Sequence, residues 1–352
     1  SSRRRHTRCC SWSRGLGDVY KRQGRNLKIQ TNIPILEKLA SNLSGVTSTD
    51  ARRLIRVAIE NDGAITAGDL PQVMKAKYQL MSNQSVISFE YDTARFSDVA
   101  GLDNLKNWLR QRVSGLALQT TGRDQPKGIM LLGVQGCGKS LAAKAVAGLF
   151  DVPLLRLDFS SLYNKFHGET ERNLREALST ADAMAPCVLW IDEIEKGLST
   201  SNSDDGVSHR VLGSLLTWMA ERKSAVFVVA TSNDITRLPP ELVRKGRLDE
   251  IFFVDLPDEA TRQDIFRIHL GNRDEDVENF DIPLLASSSE GFSGAEIEQA
   301  VVSSLYASQD DQDDLNTQHL LDELALTRPL SIVMGEKIAQ LRHWAKDRTV
   351  PA

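Results

Sequence analysis

Cysteine is scarce in this chain, with only four among 352 residues. Cys9 and Cys10 lie in a basic stretch at the start, while Cys137 and Cys187 stand alone further on. No cysteines or histidines have the spacing of a zinc site, and the sequence H-E-x-x-H of zinc proteases is absent. The composition therefore argues against a disulfide-stabilised scaffold and against these zinc enzymes, and it predicts a reducing compartment.

The chain also lacks long apolar runs, and the residues after the first 25 carry no excess of positive charge. No apolar run approaches the ~18 residues of a membrane-spanning helix, so we expect no membrane partner. The first 25 residues hold eight of the 43 Lys and Arg residues and one of the 47 Asp and Glu residues, which leaves 35 bases and 46 acids in the rest. This acidic body argues against nucleic acid as a partner.

The first 24 residues differ in composition from the rest of the chain. They are rich in Arg and Ser and nearly free of acids, as organellar transit peptides are, but they show no helical periodicity. The run from Ser11 to Gln23 resembles translated adaptor sequence, so we favour a non-native or unstructured basic segment over a targeting peptide. Residues 25–95 are interpreted as a truncated helical N-terminal region and connector, with helices within 33–82.

An alternating pattern of strands and helices begins at residue 96. Short apolar runs rich in β-branched residues alternate with amphipathic segments, which predicts an α/β fold with a parallel sheet covered on both faces. The five predicted strands are Gly128–Leu132, Leu154–Leu157, Cys187–Ile191, Ala225–Thr231 and Ile251–Leu256. After Pro257 the patterns are helical only, near residues 258–270, 293–307, 317–326 and 335–346. We expect an α/β domain over 96–256 and a small helical domain with a C-terminal tail over 257–352.

A glycine-rich stretch separates the first of these strands from a helix-prone segment. Its spacing, G-x-x-x-x-G-K-[ST], is that of a phosphate-binding loop. Glycines let backbone N–H groups surround phosphate oxygens, and the helix N-terminus adds partial positive charge. Lys139 can reach the β- and γ-phosphates of a nucleoside triphosphate, and the Ser140 hydroxyl can ligate Mg²⁺. The residues expected to bind ATP here are Gly133, Gln135, Gly136, Cys137, Gly138, Lys139, Ser140 and Leu141.

Polar residues end the next strands of the predicted sheet. A parallel sheet binds ligands at its carboxyl edge, so we expect Asp192 to hold Mg²⁺, usually through water, and Glu193 to activate the attacking water. Asn233 can hydrogen-bond that water or the γ-phosphate, with a turn-forming asparagine as the alternative. Arg244 and Arg247 can contact the γ-phosphate of a neighbouring subunit, with a solvated basic turn as the alternative.

Taken in order, these motifs resemble those of AAA-family ATPases of the AAA+ class, and the resemblance covers residues 96–352. The P-loop NTPase core and the helical lid domain of that family are therefore the expected fold. The matching motifs are Walker A at Gly133–Ser140, Walker B at Cys187–Glu193, sensor 1 at Asn233 and the paired arginine fingers at Arg244 and Arg247.

Two further segments carry nucleotide contacts by resemblance. Gly291–Ile297 resembles the lid motif of the AAA clade, which implies that Gly294 and Ala295 approach the nucleotide and that no sensor-2 arginine is present. Val99 and Gly101 lie in the segment where the family's backbone contacts adenine.

Tyr163–Glu169 resembles the family's pore loop, with Phe166 at the aromatic position that grips extended polypeptide in the channel of a ring. His167 replaces a usually apolar neighbour, and a partly buried loop residue is the alternative reading of Phe166. The tail from Arg328 and the segment 50–90 resemble an AAA family of cyanobacteria and red-lineage algal plastids. The implied setting is a bacterial cytosol, that is, a cytoplasmic location, or a plastid stroma.

Cys137 raises a redox hypothesis. A thiol at a helix N-terminus beside Lys139 has two influences that favour thiolate, and oxidation there would block phosphate binding. A small residue tolerated in the loop is the alternative.

The whole sequence favours an ATP-hydrolysing motor that binds ATP and Mg²⁺, assembles with itself, as a hexamer in this family, and remodels or unfolds an unknown protein client. A nucleotide-dependent scaffold that threads no client is the alternative. A membrane-bound AAA protease is disfavoured, because both the membrane span and the zinc motif are absent.

Overall fold

The computed structural model describes residues 46–60, 68–81, 86–90, 96–113, 125–159, 170–198, 205–244, 246–311 and 314–352, with the single positions 35, 39, 40, 42, 43, 66, 115 and 162. It divides into two compact units, residues 1–84 with 182–186 and residues 85–181 with 187–352. The basic segment 1–24 and Phe166 lie outside the described residues. The domain limits drawn from the sequence stay predictions.

The described residues of the N-terminal unit include two continuous helices, as the helical periodicity within residues 33–82 predicts. They are α1 (Ser48–Glu60) and α2 (Asp69–Met81). The Thr47 hydroxyl accepts a hydrogen bond from the Asp50 backbone N–H at 3.2 Å, which caps α1. Their apolar faces form a small core together with Leu39 and Leu43, which precede α1, and the helix residues of this core are Ala51, Leu54, Ile55, Leu70 and Val73.

A seven-stranded sheet organises the second unit. Its strands are β1 (Ile87–Glu90), β2 (Gly128–Gly133), β3 (Leu154–Asp158), β4 (Cys187–Asp192), β5 (Val226–Ser232), β6 (Glu250–Val254) and β7 (Val350–Pro351). The order across the sheet is β1-β3-β4-β5-β2-β6-β7, with β1 antiparallel to β3 and every other pair parallel. The predicted α/β class and the five predicted strands are confirmed. The edge strands β1 and β7 were not predicted.

Helices cover this sheet between its strands. They are α3 (Asp103–Arg110), α4 (Lys139–Phe150), α5 (Thr170–Met184), α6 (Ile194–Leu198) and α7 (Asp205–Glu221), with short 3₁₀ turns at Phe96–Asp98 and Ile235–Arg237. Alternate strand residues such as Ile129, Val188 and Val229 join α3 and α4 in one core. The intervening residues, such as Met130 and Leu189, are also fully buried. Burial on both faces explains why the central strands are continuously apolar.

Among the residues described after β6, six helices form a helical domain. They are α8 (Glu259–Gly271), α9 (Ile282–Ser288), α10 (Gly294–Asp311), α11 (Thr317–Leu326), α12 (Leu330–Val333) and α13 (Gly335–Ala345), with a 3₁₀ turn at Val277–Asn279. Phe266, Leu285 and Leu320 lie at the centre of its core. The four predicted helices are confirmed, and α9 and α12 are additional.

The C-terminal tail returns to the edge of the sheet. Val350 of β7 is opposite Phe252 of β6, and the Ala352 N–H donates to the Phe253 carbonyl at 3.0 Å. Arg342 of α13 donates from Nε to both carboxylate oxygens of Asp255, at 3.0 and 2.8 Å. These contacts attach the last helix to the strand beside the phosphate-binding loop. Among the described residues, no helix has both the length and the apolar character needed to cross a membrane.

Candidate nucleotide site

The phosphate-binding loop lies between β2 and α4, and two of its glycines are required by geometry. Gly133 has φ +155°, and a Cβ there would lie 1.9 Å from the Val254 carbonyl oxygen of the neighbouring strand. Gly136 has φ +77°, and a Cβ there would lie 2.9 Å from Ser293 Oγ of the helical domain. A side chain at either position would meet backbone or a packed residue, so the loop keeps its shape only with glycine.

Lys139 is buried at the start of α4. Its ammonium donates to the carbonyls of Gly133 and Val134 at 3.0 and 2.6 Å. Burial lowers the pKa of Lys139 to about 8, although the negative charges of the nearby acids, Glu195 first among them, oppose that shift. The loop therefore holds its cation at the helix N-terminus by hydrogen bonds to its own backbone.

Cys137 lies half-buried in the same loop, and its surroundings argue against the redox hypothesis. Burial raises the pKa of the Cys137 thiol to about 12, although Lys139 acts in the opposite direction. The desolvation cost of a thiolate thus exceeds the attraction of the neighbouring ammonium. The raised pKa of Cys137 therefore disfavours the thiolate on which the redox hypothesis depends.

Asp192 and Glu193 stand at the carboxyl end of β4, and one hydroxyl on β5 holds both. Thr231 Oγ1 donates to Asp192 Oδ1 at 2.7 Å and accepts from the Glu193 backbone N–H at 3.0 Å. Glu193 has φ +46°, a left-handed conformation that is costly for a non-glycine residue. The hydrogen bond to Thr231 helps to hold that conformation. Sequence reasoning missed Thr231, whose signal is a polar residue at the end of an apolar strand.

The Glu193 side chain has a partner at each oxygen. Asn233 Nδ2 donates to Glu193 Oε1 at 3.0 Å, and the Lys196 ammonium forms an ion pair with Oε2. The Asn233 backbone N–H donates to Oε1 of the buried Glu195 at 3.0 Å. Asn233 is thus fixed next to the acid expected to activate water. Its expected contact with that water or with a γ-phosphate stays a prediction.

The helical domain reaches the phosphate-binding loop directly. The Ala295 N–H at the start of α10 donates to the Gly136 carbonyl at 3.0 Å. Ser293 caps that helix through Glu296, whose Oε2 accepts from the Ser293 N–H at 2.7 Å, while Oε1 accepts from the Leu330 N–H at 2.8 Å. The Glu296 carboxylate therefore connects α12 to the N-terminal end of α10, which contacts the phosphate-binding loop.

The opposite side of the site is formed by the chain before α3 and by α8. Lys106 Nζ donates to the Val99 carbonyl at 2.7 Å, which fixes the segment expected to contact adenine. Gly101 has φ +62°, and a Cβ there would lie 3.0 Å from Thr261 of α8. Ile265 and other α8 residues complete an apolar wall of a kind that suits a planar base.

These segments surround one cavity of about 910 Å³. Every residue that the sequence assigned to nucleotide or metal lines it, except Gly133, which lies at the strand end beneath it. Glu193 and Asn233 also line it, whereas Arg244 and Arg247 do not. Arg244 is exposed, and Arg247 donates to the Glu241 carbonyl within its own turn. Phe166 lies outside the described residues, so its place relative to the cavity stays a prediction.

The residues present suit a magnesium–nucleotide complex. The cavity combines a loop of N–H groups at a helix N-terminus, a buried lysine, the Ser140 hydroxyl and the Asp192 carboxylate. In the described part of the chain, no group of three or more His, Cys, Asp or Glu side chains is arranged to hold a metal. Mg²⁺ typically takes one or two protein oxygens together with phosphates and water, so one hydroxyl and one carboxylate are an appropriate set.

Solved structures and curated sequences show similar proteins. The crystal structure of the FIGL-1 AAA domain aligns with a TM-score of 0.63 and 22% identity over 78% of this chain and 96% of that one. The same domain in complex with ADP aligns with a TM-score of 0.64 and 23% identity over 78% and 97%. At this identity the likeness shows the fold alone.

Matches to family models and to sequence relatives show the family as well as the fold. The model "ATPase family associated with various cellular activities (AAA)" matches residues 129–256, and "SpoVK-like AAA ATPase, second domain" matches residues 14–84. The chain is 38% identical to the "Uncharacterized AAA domain-containing protein ycf46" of Guillardia theta and 37% identical to that of Pyropia yezoensis. These alignments cover 88% and 93% of this chain but 62% and 67% of the relatives. The chain belongs to the AAA ATPase family, among the relatives that carry the name ycf46.

Proposed function

We propose that this protein hydrolyses ATP and uses the energy to remodel or unfold a protein client as a ring, specifically a hexamer. The observation that carries the proposal is the placement of Glu193. Its carboxylate lines the same cavity as the phosphate-binding loop and is held by Asn233 at 3.0 Å. A protein that only binds nucleotide has no need of a fixed acid in the lining of that cavity.

Each site residue has a distinct role in this proposal. Lys139 and the loop N–H groups bind the phosphates, and Ser140 with Asp192 would hold Mg²⁺, which supplies charge neutralisation at the phosphates. Glu193 accepts a proton from the attacking water, and Asn233 orients that water or the glutamate.

The direct test of hydrolysis is phosphate release from ATP by the purified chain in the presence of Mg²⁺. We expect the rate of phosphate release per subunit to rise with protein concentration, because the arginines proposed to complete each site come from a neighbouring subunit. If no phosphate is released at any concentration or oligomeric state, the proposal fails.

Phe166→Ala separates a motor from a nucleotide-dependent scaffold. By the family resemblance, Phe166 grips the client while the ATP site is elsewhere, so we expect ATP hydrolysis within about twofold of the native rate and loss of client processing. The measurement is phosphate release together with unfolding of a client captured by a Glu193→Gln variant. Unchanged client processing would favour the scaffold.

We also propose a plastid stroma as the setting. The named relatives come from Guillardia theta, Pyropia yezoensis and Trieres chinensis, which are algae with plastids of the red lineage. Fractionation of isolated plastids, followed by detection of the protein with an antibody, checks this location. Recovery of the protein outside plastids would contradict it.

A further inference from the structure

Arg156 of β3 lies against the Asp192 carboxylate. β3 pairs with β4 in parallel so that Arg156 is opposite Trp190, two residues before Asp192. The guanidinium carbon lies 4.7 Å from the centroid of the Trp190 ring, and one terminal nitrogen donates to Asp192 Oδ2 at 2.9 Å. The strand register and the indole face together fix a cation beside the acid that would hold magnesium.

The two oxygens of Asp192 have protein partners of different character. Thr231 brings a neutral hydroxyl to Oδ1, at 2.7 Å, and Arg156 brings a full positive charge to Oδ2. Because the Thr231 hydrogen bond already orients the carboxylate, the distinct effect of Arg156 is electrostatic. The guanidinium offsets part of the negative charge that would attract a metal-bound water. The side chains are 38% and 18% exposed, so water screens this effect only in part.

The Glu90 carboxylate, at the end of β1, forms a second ion pair with the same guanidinium. Its Oε1 lies 4.0 Å from the other terminal nitrogen of Arg156. The negative charge of Glu90 therefore offsets part of the positive charge that Arg156 brings to Asp192. The charges thus alternate in sign from the edge strand to the nucleotide cavity: negative at Glu90, positive at Arg156 and negative at Asp192.

We propose that Arg156 raises the concentration of free Mg²⁺ that the nucleotide site requires and that Glu90 moderates this effect, a role that rests on the proposed function. Arg156 contacts Asp192 and does not line the cavity, so it is a positioning residue that acts through the aspartate. The site then binds the metal–nucleotide complex only above a threshold concentration of free Mg²⁺. The charges of Glu90, Arg156 and Asp192 set that concentration.

Equilibrium binding of a fluorescent ATP analogue tests this role, with the full chain carrying Glu193→Gln so that hydrolysis does not interfere. We expect Arg156→Gln to lower the Mg²⁺ concentration at half-saturation by about tenfold at low ionic strength. We expect Glu90→Gln to raise it by about twofold, because the 4.0 Å pair is weaker. Arg267→Gln removes an exposed cation that pairs with Asp264 on α8, and this matched control should change nothing.

Shifts of opposite sign in the two variants, both shrinking at high salt, support a charge effect, because a packing defect would not reverse sign with the charge removed. An unchanged or higher Mg²⁺ requirement in Arg156→Gln overturns the proposal. If the Glu193→Gln parent binds no analogue at any Mg²⁺ concentration, the proposed function itself fails, which is a different result from binding without a shift.

Discussion

Glu193→Gln is expected to bind ATP with Mg²⁺ as the native chain does and to hydrolyse it at least about a hundredfold more slowly. Glutamine keeps the shape of the side chain, and its carbonyl oxygen can still accept the hydrogen bond that Asn233 Nδ2 gives to Oε1. It cannot accept a proton from water, so binding and turnover separate. The measurements are nucleotide affinity by fluorescence and phosphate release under saturating ATP.

The matched control is Glu221→Gln, which changes an exposed acid at the end of α7. We expect native affinity and native turnover from it. Near-native turnover in Glu193→Gln would remove Glu193 from its role, whereas a parallel loss of affinity would point to a damaged loop instead. Because Glu193 is also paired with Lys196, melting temperatures of both variants should be compared with that of the native chain.

Arg244→Ala and Arg247→Ala should each reduce turnover by roughly 10³–10⁵-fold in the assembled protein, the range known for an arginine supplied to a phosphoryl-transfer site. Neither arginine lines the nucleotide cavity of its own chain, and Arg244 is exposed. Their effect is therefore expected across a subunit boundary. Steady-state phosphate release at protein concentrations above and below assembly measures it.

A mixing experiment makes the second prediction sharper. Subunits with Glu193→Gln keep their arginines, and subunits with Arg244→Ala keep an intact cavity, so each population alone should be nearly inactive. Mixed assemblies should regain activity wherever an intact cavity meets an intact arginine. Arg237→Ala, at an exposed neighbouring arginine, is the control that should keep native activity. A fully active isolated Arg244→Ala monomer would contradict action in trans.

The central features of the fold were predictable because their signals are local. The strands β2 and β5 are buried along their whole length and read as apolar runs, and the phosphate-binding loop has the local spacing G-x-x-x-x-G-K-[ST]. The helix α9 carries a local signal that was overlooked, since Asp281 caps it at the Leu284 N–H and a proline follows two positions later.

The remaining features depend on contacts between distant parts of the chain. β1 and β7 are four and two residues long, and each becomes a strand only by pairing with an edge of the sheet. The contact between Arg156 and Asp192 joins residues 36 positions apart, and its partners follow from strand register. The acids of the site and Asn233 were predictable from their motifs, whereas Thr231 and Arg156, which hold Asp192, were not.

The hydrogen bond from the Ala295 N–H to the Gly136 carbonyl fixes more than one atom. A trans peptide unit is planar, so its carbonyl and the following N–H point in opposite directions. Anchoring the Gly136 oxygen on α10 therefore aims the Cys137 N–H away from the helical domain. A tilt of α10 would turn that whole peptide plane, so a movement of the helices would change the direction in which the Cys137 N–H points within the phosphate-binding loop.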